Sequence, residues 1–105
     1  MQFHFLLGGI MVDSDWQQQL DHLRQQIDEL DEHLLAILRE RMQIALEIAH
    51  IKQGLGLSVR QHVRAEEVRR RYAERGQGML SEEFLHNLYA LIHEETCHRE
   101  EEQSS

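Results

Sequence analysis

Two cationic side chains on one side of a predicted helix are the residues best suited to chemistry. Arg41 occupies a position in a helical pattern where a hydrophobic side chain is expected, and a guanidinium buried there without a partner is costly. Lys52 lies eleven residues further on, within about 20° of the same face and roughly 16 Å along the helix axis. The neighbouring positions on this face are apolar: Leu34, Ile37, Ile44 and Ile48. Two cations above an apolar floor are suited to holding a small dianion.

Each cation also has an explanation that needs no ligand. Arg41 could pair with a glutamate of a second helix and fix the register of a coiled coil. Lys52 lies near the predicted end of its helix, where a positive charge interacts favourably with the helix dipole. Together these explanations describe a non-catalytic helical dimer that serves as a regulatory or scaffolding module, and the two residues alone leave that alternative open.

The predicted helix that carries both cations is unusually long. Ser14 and Gln17 form an S-x-x-Q capping box, and apolar positions then recur in steps of three and four up to Gly54. About 40 residues would extend roughly 60 Å, whereas a compact chain of this length has a radius of gyration near 13 Å. One protomer cannot cover such a helix, so we predict a dimer in which long helices pack against each other. The apolar seam comprises Leu20, Leu23, Ile27, Leu30, Leu34, Ile37, Arg41, Ile44, Ile48 and Ile51, with Arg41 as its only polar member.

Two shorter helices are predicted downstream of Gly54 and Gly56. The second helix starts at a capping box over residues 58–61, reaches about Arg75, and has the low apolar content expected of a lid. The third helix follows the capping residue Ser81 and frays into a Glu-rich tail. One face of the third helix carries Leu85, Leu88, Tyr89, Ile92 and Thr96. On this face, Tyr89 could pack or line the mouth of a pocket.

These patterns predict an all-α fold of three helices with one very long first helix, because no segment alternates as a strand would. The helical domain is expected over residues 13–102. Residues 1–12 follow no helical period and are expected to form a flexible extension, with Met11 as an alternative start.

Composition narrows the partners and the location. A chain of 105 residues is too short for a second fold, and 19 acidic against 11 basic residues give a formal charge of -8, which argues against binding nucleic acid. The apolar stretch at residues 3–11 is too short to cross a bilayer and lacks the features of a secretory signal. The single cysteine, Cys97, fits a reducing compartment. We expect a cytoplasmic protein without a nucleic-acid or membrane partner.

No metal site is expected among the eight histidines. His93 and Cys97 are four residues apart on the third predicted helix, but no second ligand pair accompanies them at metal-site spacing. The basic run at residues 69–71 is expected to be a solvated face of the second helix.

Two motifs in the first predicted helix carry a resemblance to a known family. Residues 23–31 read L-R-x-x-I-D-x-L-D, and residues 41–52 read R-x-x-x-A-x-x-I-x-x-x-K. With the later helices, residues 16–101 resemble the all-helical chorismate mutases. The resemblance implies an intertwined homodimer with two equivalent sites, each built mainly from one protomer and completed by an arginine from the partner's first helix.

The resemblance also implies roles for individual cations. Arg24 matches the arginine that enters the partner's site, Arg41 matches the cation that holds a substrate carboxylate, and Arg64 matches a further carboxylate-binding arginine. Lys52 matches the residue that contacts both a carboxylate and the ether oxygen. Helical geometry agrees for Arg24, which is about 100° around the helix from Arg41 and roughly 25 Å away, too far to serve the same pocket.

The implied reaction is the Claisen rearrangement of chorismate to prephenate, which needs no metal or organic cofactor. Thr96 falls where the family has a small hydroxyl residue near the substrate. Glu100 falls where the family has a glutamine or glutamate facing the ether oxygen, and the four-residue spacing places both on one helix face. Lys52 and Glu100 are the expected donors to that oxygen.

One part of the family pattern is missing. Many members have an acid after the second-helix arginine that accepts a hydrogen bond from the ring hydroxyl, and this chain has Ala65 there, with Gln61 replacing the acid one turn earlier. A one-residue change in the glycine loop could bring Glu66 or Glu67 into the site, and the side-chain oxygen of Gln61 could also accept the bond. Otherwise the hydroxyl pocket is weakened. The gap keeps two other substrates open: isochorismate, as in the related isochorismate pyruvate-lyases, and an amino-substituted chorismate.

Overall fold

Three helices make up the part of the chain that the structure describes. It is a computed structural model that describes residues 15–58 and 62–104, within which there is no strand. The helices are α1 (Asp15–Leu55), α2 (His62–Glu74) and α3 (Glu82–Ser104). The predicted all-α class and the long first helix are confirmed. The expected N-terminal extension, the capping residue Ser14 and the predicted start of the second helix at residues 59–61 lie outside the described residues.

Gly56, rather than Gly54, ends α1. Gly54 lies inside the helix, whereas Gly56 has a φ of +72°, which favours glycine because a Cβ atom is strained there. The backbone N–H of Gly56 donates to the Gln53 carbonyl at 3.2 Å, and that of Leu57 donates to the Lys52 carbonyl at 2.8 Å. These two bonds form a Schellman motif, which satisfies the last carbonyls of the helix and fixes the turn that contains Lys52.

The chain divides into two compact units, residues 1–39 and residues 40–105. In the first unit, residues 15–39 belong to α1, and none of them is buried. The apolar seam is exposed: Leu20 is 37% exposed, Leu30 64% and Ile37 58%.

The second unit contains the C-terminal part of α1 together with α2 and α3, and α2 packs against α3. Its described hydrophobic core consists of Ala49 from α1, Val68 from α2, and Leu85, Tyr89 and Cys97 from α3. The second helix is therefore more than a lid, because Val68 belongs to this core.

The sequence predicted the N-terminal cap of α3 correctly but not its C-terminal end. The predicted cap is confirmed, since the backbone N–H of Phe84 donates to Ser81 Oγ at 3.1 Å. The predicted fraying is wrong, because α3 continues through the Glu-rich segment to Ser104 and buries Glu100.

None of the helices within the described ranges combines the length and the apolar content that crossing a membrane requires.

Replacement by alanine is expected to affect Gly76, in the turn between α2 and α3, differently from Gly54 in α1. A Cβ atom at Gly76 would lie 2.5 Å from the Leu80 carbonyl oxygen and 2.8 Å from Leu85 Cδ1, whereas one at Gly54 would meet nothing within 4 Å. We expect Gly76→Ala to lower the free energy of unfolding by about 1–3 kcal/mol. Gly54→Ala is the control and should raise it by about 0.5–1 kcal/mol, because alanine favours the helix. Urea unfolding at one protein concentration measures both, and equal effects would contradict the prediction.

Candidate active site

A cavity of about 400 Å³ opens among the three helices of the second unit. Residues from α1, α2 and α3 all contribute to its walls, which mix cationic, aromatic and apolar side chains. The lining residues are Arg41, Ile44, Ala45, Ile48, Lys52, Arg64, Ala65, Val68, Arg71, Tyr72, Tyr89, His93, Thr96, Cys97 and Glu100.

Positive charge dominates this cavity in an otherwise acidic chain. Four cationic side chains line it, Arg41, Lys52, Arg64 and Arg71, and Glu100 is the one carboxyl group among the described lining residues. Even with Glu100 ionised, four positive charges and one negative charge leave a local excess of three, whereas the whole chain has a formal charge of -8. Such a cavity attracts a small anion.

Arg41 makes its hydrogen bond to a neutral hydroxyl group. Arg41 Nη1 donates to Thr96 Oγ1 at 3.3 Å, and Thr96 Oγ1 donates to the Ile92 carbonyl at 2.7 Å. Because the hydroxyl has one proton and directs it to Ile92, its lone pairs accept from Arg41. This chain of bonds orients the guanidinium at the cavity wall and leaves its charge without neutralisation by Thr96.

Glu100 is a buried carboxyl group beside two cations. Its residue is 5% exposed, and burial raises the pKa of Glu100, while Lys52 and Arg41 oppose that rise electrostatically and Glu101 adds to it. Burial disfavours the charged form of an acid, so the carboxyl group retains its proton to a higher pH than an exposed glutamate does. Thr96, one turn earlier on α3, is also buried and lines the same cavity, as the four-residue spacing predicted.

The cations of α2 face the cavity from a more exposed position. Arg64 lies 3.7 Å from a carboxylate oxygen of Glu67, in a pair whose side chains are 61% and 58% exposed. Such a solvated pair contributes little stability and competes weakly with a ligand. Arg71, which is exposed as expected for the basic run, also lines the cavity. The spacing of Arg64 and Arg71, two helical turns apart, was the available signal.

No acid on α2 replaces the one missing at Ala65. Ala65 lines the cavity, but neither Glu66 nor Glu67 does. The Glu66 carboxylate binds the Arg69 guanidinium through two nitrogens, with Nε donating at 2.8 Å, and that hydrogen bond lowers the pKa of Glu66. The suggestion that one of these glutamates enters the site is therefore wrong for this arrangement. The other candidate, Gln61, lies outside the described residues.

Aromatic and sulfur-containing side chains form a wall that sequence reasoning largely missed. Tyr72 and Tyr89 pack edge to face with ring centroids 5.0 Å apart, and Tyr89 stacks on His93 at 5.5 Å. The Tyr89 hydroxyl lies 3.4 Å from His93 Nδ1, and Cys97 Sγ lies 3.6 Å from His93 Nε2. Across the described residues, no group of three or more His, Cys, Asp or Glu side chains is arranged to hold a metal ion.

The comparison with known protein families identifies the relatives of this chain. The family model described as chorismate mutase type II matches residues 23–101, about three quarters of the sequence. The chain belongs to the chorismate mutase type II family. A curated relative, the 4-amino-4-deoxychorismate mutase of Streptomyces venezuelae, is 36% identical over 86 residues, which cover 81% of this chain and 84% of that protein. No solved structure matches the chain significantly.

The match to the chorismate mutase type II family includes every site residue predicted from the sequence. Five of these residues line the cavity: Arg41, Lys52, Arg64, Thr96 and Glu100. Arg24 is exposed on α1 in the first unit. Its entry into the site of a partner subunit stays a prediction.

Proposed function

We propose that this chorismate mutase family member catalyses the Claisen rearrangement of chorismate to prephenate. The observation that carries the proposal is a buried glutamate with a raised pKa on a cavity wall whose other charged groups are cations. Chorismate is a dianion with an ether oxygen between its two reacting parts. Its carboxylates suit the cations, and its ether oxygen suits a neutral donor.

The cations act by positioning the substrate. Arg41 and Arg64 bind the carboxylates from different helices and hold the enolpyruvyl group above the ring in its reactive conformer. The bond from Arg41 to Thr96 fixes one of these contacts before the substrate arrives. Holding the reacting parts together removes an entropic part of the barrier, so no nucleophile is required.

Lys52 and Glu100 act on the ether oxygen. Negative charge develops there as the carbon–oxygen bond breaks, and donors already in place stabilise the transition state more than the ground state. Lys52 donates as an ammonium group. Glu100 donates only as a carboxylic acid, because an ionised carboxylate has no proton to give and repels the developing charge.

We further propose that the functional unit is an intertwined homodimer. The apolar seam of α1 is exposed along its length, and Ile44, Ile48 and Ile51 continue the exposure of the first unit with values of 54%, 46% and 62%. Apolar stripes of this length mark an interface. A second copy presents the same seam, and the Arg24 of each protomer would complete the site of the other.

An amino-substituted chorismate is the second candidate substrate. The relative from Streptomyces venezuelae is named for 4-amino-4-deoxychorismate, in which an amine replaces the ring hydroxyl, and its sequence matches four fifths of this chain. The two substrates share both carboxylates and the ether oxygen, so the cations and Glu100 suit either one.

The location proposed from the sequence is the cytoplasm. Its support is the cysteine content, because the single cysteine, Cys97, is buried and suits a reducing compartment.

Parallel assays of purified protein with chorismate, 4-amino-4-deoxychorismate and isochorismate test the proposal. We expect rearranged product from chorismate, detected by loss of its ultraviolet absorbance and by acid conversion of prephenate to phenylpyruvate. Rearrangement of the amino substrate alone would assign the second candidate. Salicylate and pyruvate from isochorismate would identify a lyase, and turnover of none of the three would favour the non-catalytic module.

The raised pKa of Glu100 predicts a one-sided pH profile. The protonated fraction is complete below the pKa of the folded protein and declines as pH rises through it, so kcat/KM should decline in the same direction. Glu100→Gln keeps a donor at every pH and should flatten the profile. The exposed Glu83 provides a matched control, because Glu83→Gln should retain the wild-type profile. A profile in Glu100→Gln that parallels the wild type would remove Glu100 from the mechanism.

A mixture of two inactive variants tests the shared site. Arg24→Ala and Lys52→Ala should each lose at least about 100-fold in kcat/KM, because each removes a cation that holds the transition state. Unfolded together and refolded in equal amounts, they should recover about a quarter of wild-type activity, since half of the dimers are mixed and each has one intact site. If Arg24 serves its own protomer, the mixture stays inactive.

A further inference from the structure

A second cavity adjoins the candidate active site. Its volume is about 370 Å³, and its outer walls come from Glu66, Arg69, Ala90 and Glu94 on α2 and α3. Three residues line both cavities: Ala65, Tyr89 and His93. The two cavities therefore meet at a wall made of one methyl group, one phenol and one imidazole.

The polar groups of this shared wall come from α3, because the α2 residue in the wall is Ala65. Ala65 has no side-chain donor or acceptor, so a polar substituent of a bound ring that faces this wall can be satisfied by Tyr89 or His93. The carboxylates and the ether oxygen of the substrate are already assigned to the cations and Glu100. The ring hydroxyl, or the amine that replaces it, is the remaining polar group, and burying it without a partner would weaken binding.

Tyr89 and His93 are held as a unit by their surroundings. Tyr89 is 4% exposed and lies between the Tyr72 ring and the His93 ring. Burial raises the pKa of the Tyr89 phenol, and Arg41 and Arg64 oppose that rise, which places the phenol within the electrostatic reach of cations from α1 and α2. A phenol that stays protonated donates one hydrogen bond and can also accept, so it can donate to His93 Nδ1 and accept from a ligand.

We propose that Tyr89 binds the ring substituent of the substrate and that His93 positions the Tyr89 hydroxyl for this contact. The inference rests on the proposed mutase function. It assigns to Tyr89 the hydrogen bond to the ring substituent that the Ala65 side chain cannot make. The recognised chemistry is a hydrogen-bond donor on the ring, either a hydroxyl or an amine. The Tyr89 oxygen accepts that hydrogen bond while its own proton is directed to His93.

Assays with different substrates distinguish a ring hydroxyl from a ring amine as the group that Tyr89 binds. Wild type, Tyr89→Phe and His93→Leu are assayed with chorismate, with the amino-substituted substrate, and with an analogue that lacks the ring substituent. Tyr89→Phe keeps the ring that packs against Tyr72 and removes only the hydroxyl. We expect kcat/KM of Tyr89→Phe to decline by about 10–100-fold on whichever substituted substrate the wild type uses, mainly through KM, and to stay unchanged on the analogue.

The histidine has its own readouts. His93→Gln keeps an acceptor for the Tyr89 proton and should retain more activity than His93→Leu. The double variant Tyr89→Phe with His93→Leu should be no worse than Tyr89→Phe alone, because both act through one hydroxyl. His98, whose side chain is 69% exposed, provides the control, and His98→Leu should match the wild type on every substrate.

A rescue variant completes the design. Ala65→Glu introduces a carboxylate acceptor at the shared wall and should restore part of the lost kcat/KM in the Tyr89→Phe background. Suppose that the wild type is active and that Tyr89→Phe lowers kcat/KM equally on all three substrates, or on none of them. That result would overturn the inference and leave the mutase proposal intact. A wild type inactive on every substrate would instead overturn the proposed function itself.

Discussion

The depth at which Glu100 is buried is the constraint on which the candidate site depends. Lys52 and Arg41 lie close enough to act on the carboxyl group, and alone they would favour its ionised form. Burial outweighs them, so the pKa of Glu100 lies above its ordinary value. A more exposed Glu100 would ionise at a lower pH, and its carboxylate would then act as a counterion of the cations around it. The cavity would then have less positive charge for an anionic ligand and would lack a neutral donor, so the packing of α3 governs both properties.

Helical periodicity explains why the main site residues could be predicted. Arg41 and Lys52 share a face of one continuous helix, and Thr96 and Glu100 are one turn apart on another, so their relative positions follow from residue spacing. The end of α1 at Gly56 followed from a glycine cap for the same local reason. Which helix faces close around a common cavity is a property of packing, and the family resemblance supplied that step.

The residues that were missed or misplaced depend on tertiary detail. For Tyr89 the sequence left open packing or a place at the mouth of a pocket, and only the placement of α2 shows that the residue packs and also faces two cavities. The sequence allowed Glu66 as a substitute for the missing acid, but in the structure its carboxylate is bound by Arg69. The burial of Glu100 within a run of glutamates required knowing that α3 stays helical to its end. The role predicted for Arg24 requires a second chain, so the structure of one chain does not test it.

The uninterrupted helix between Arg41 and Lys52 limits how this protein can change over evolutionary time. Each inserted or deleted residue would turn Lys52 by about 100° relative to Arg41, which would move one cation away from the cavity. The Schellman motif immediately after Lys52 fixes the end of the helix, so the helix cannot compensate for such a rotation there. Substitutions along this stretch are tolerable wherever the side chain points to solvent, but its length is fixed. A change in chain length therefore keeps Arg41 and Lys52 on one face only where it falls outside the stretch between them.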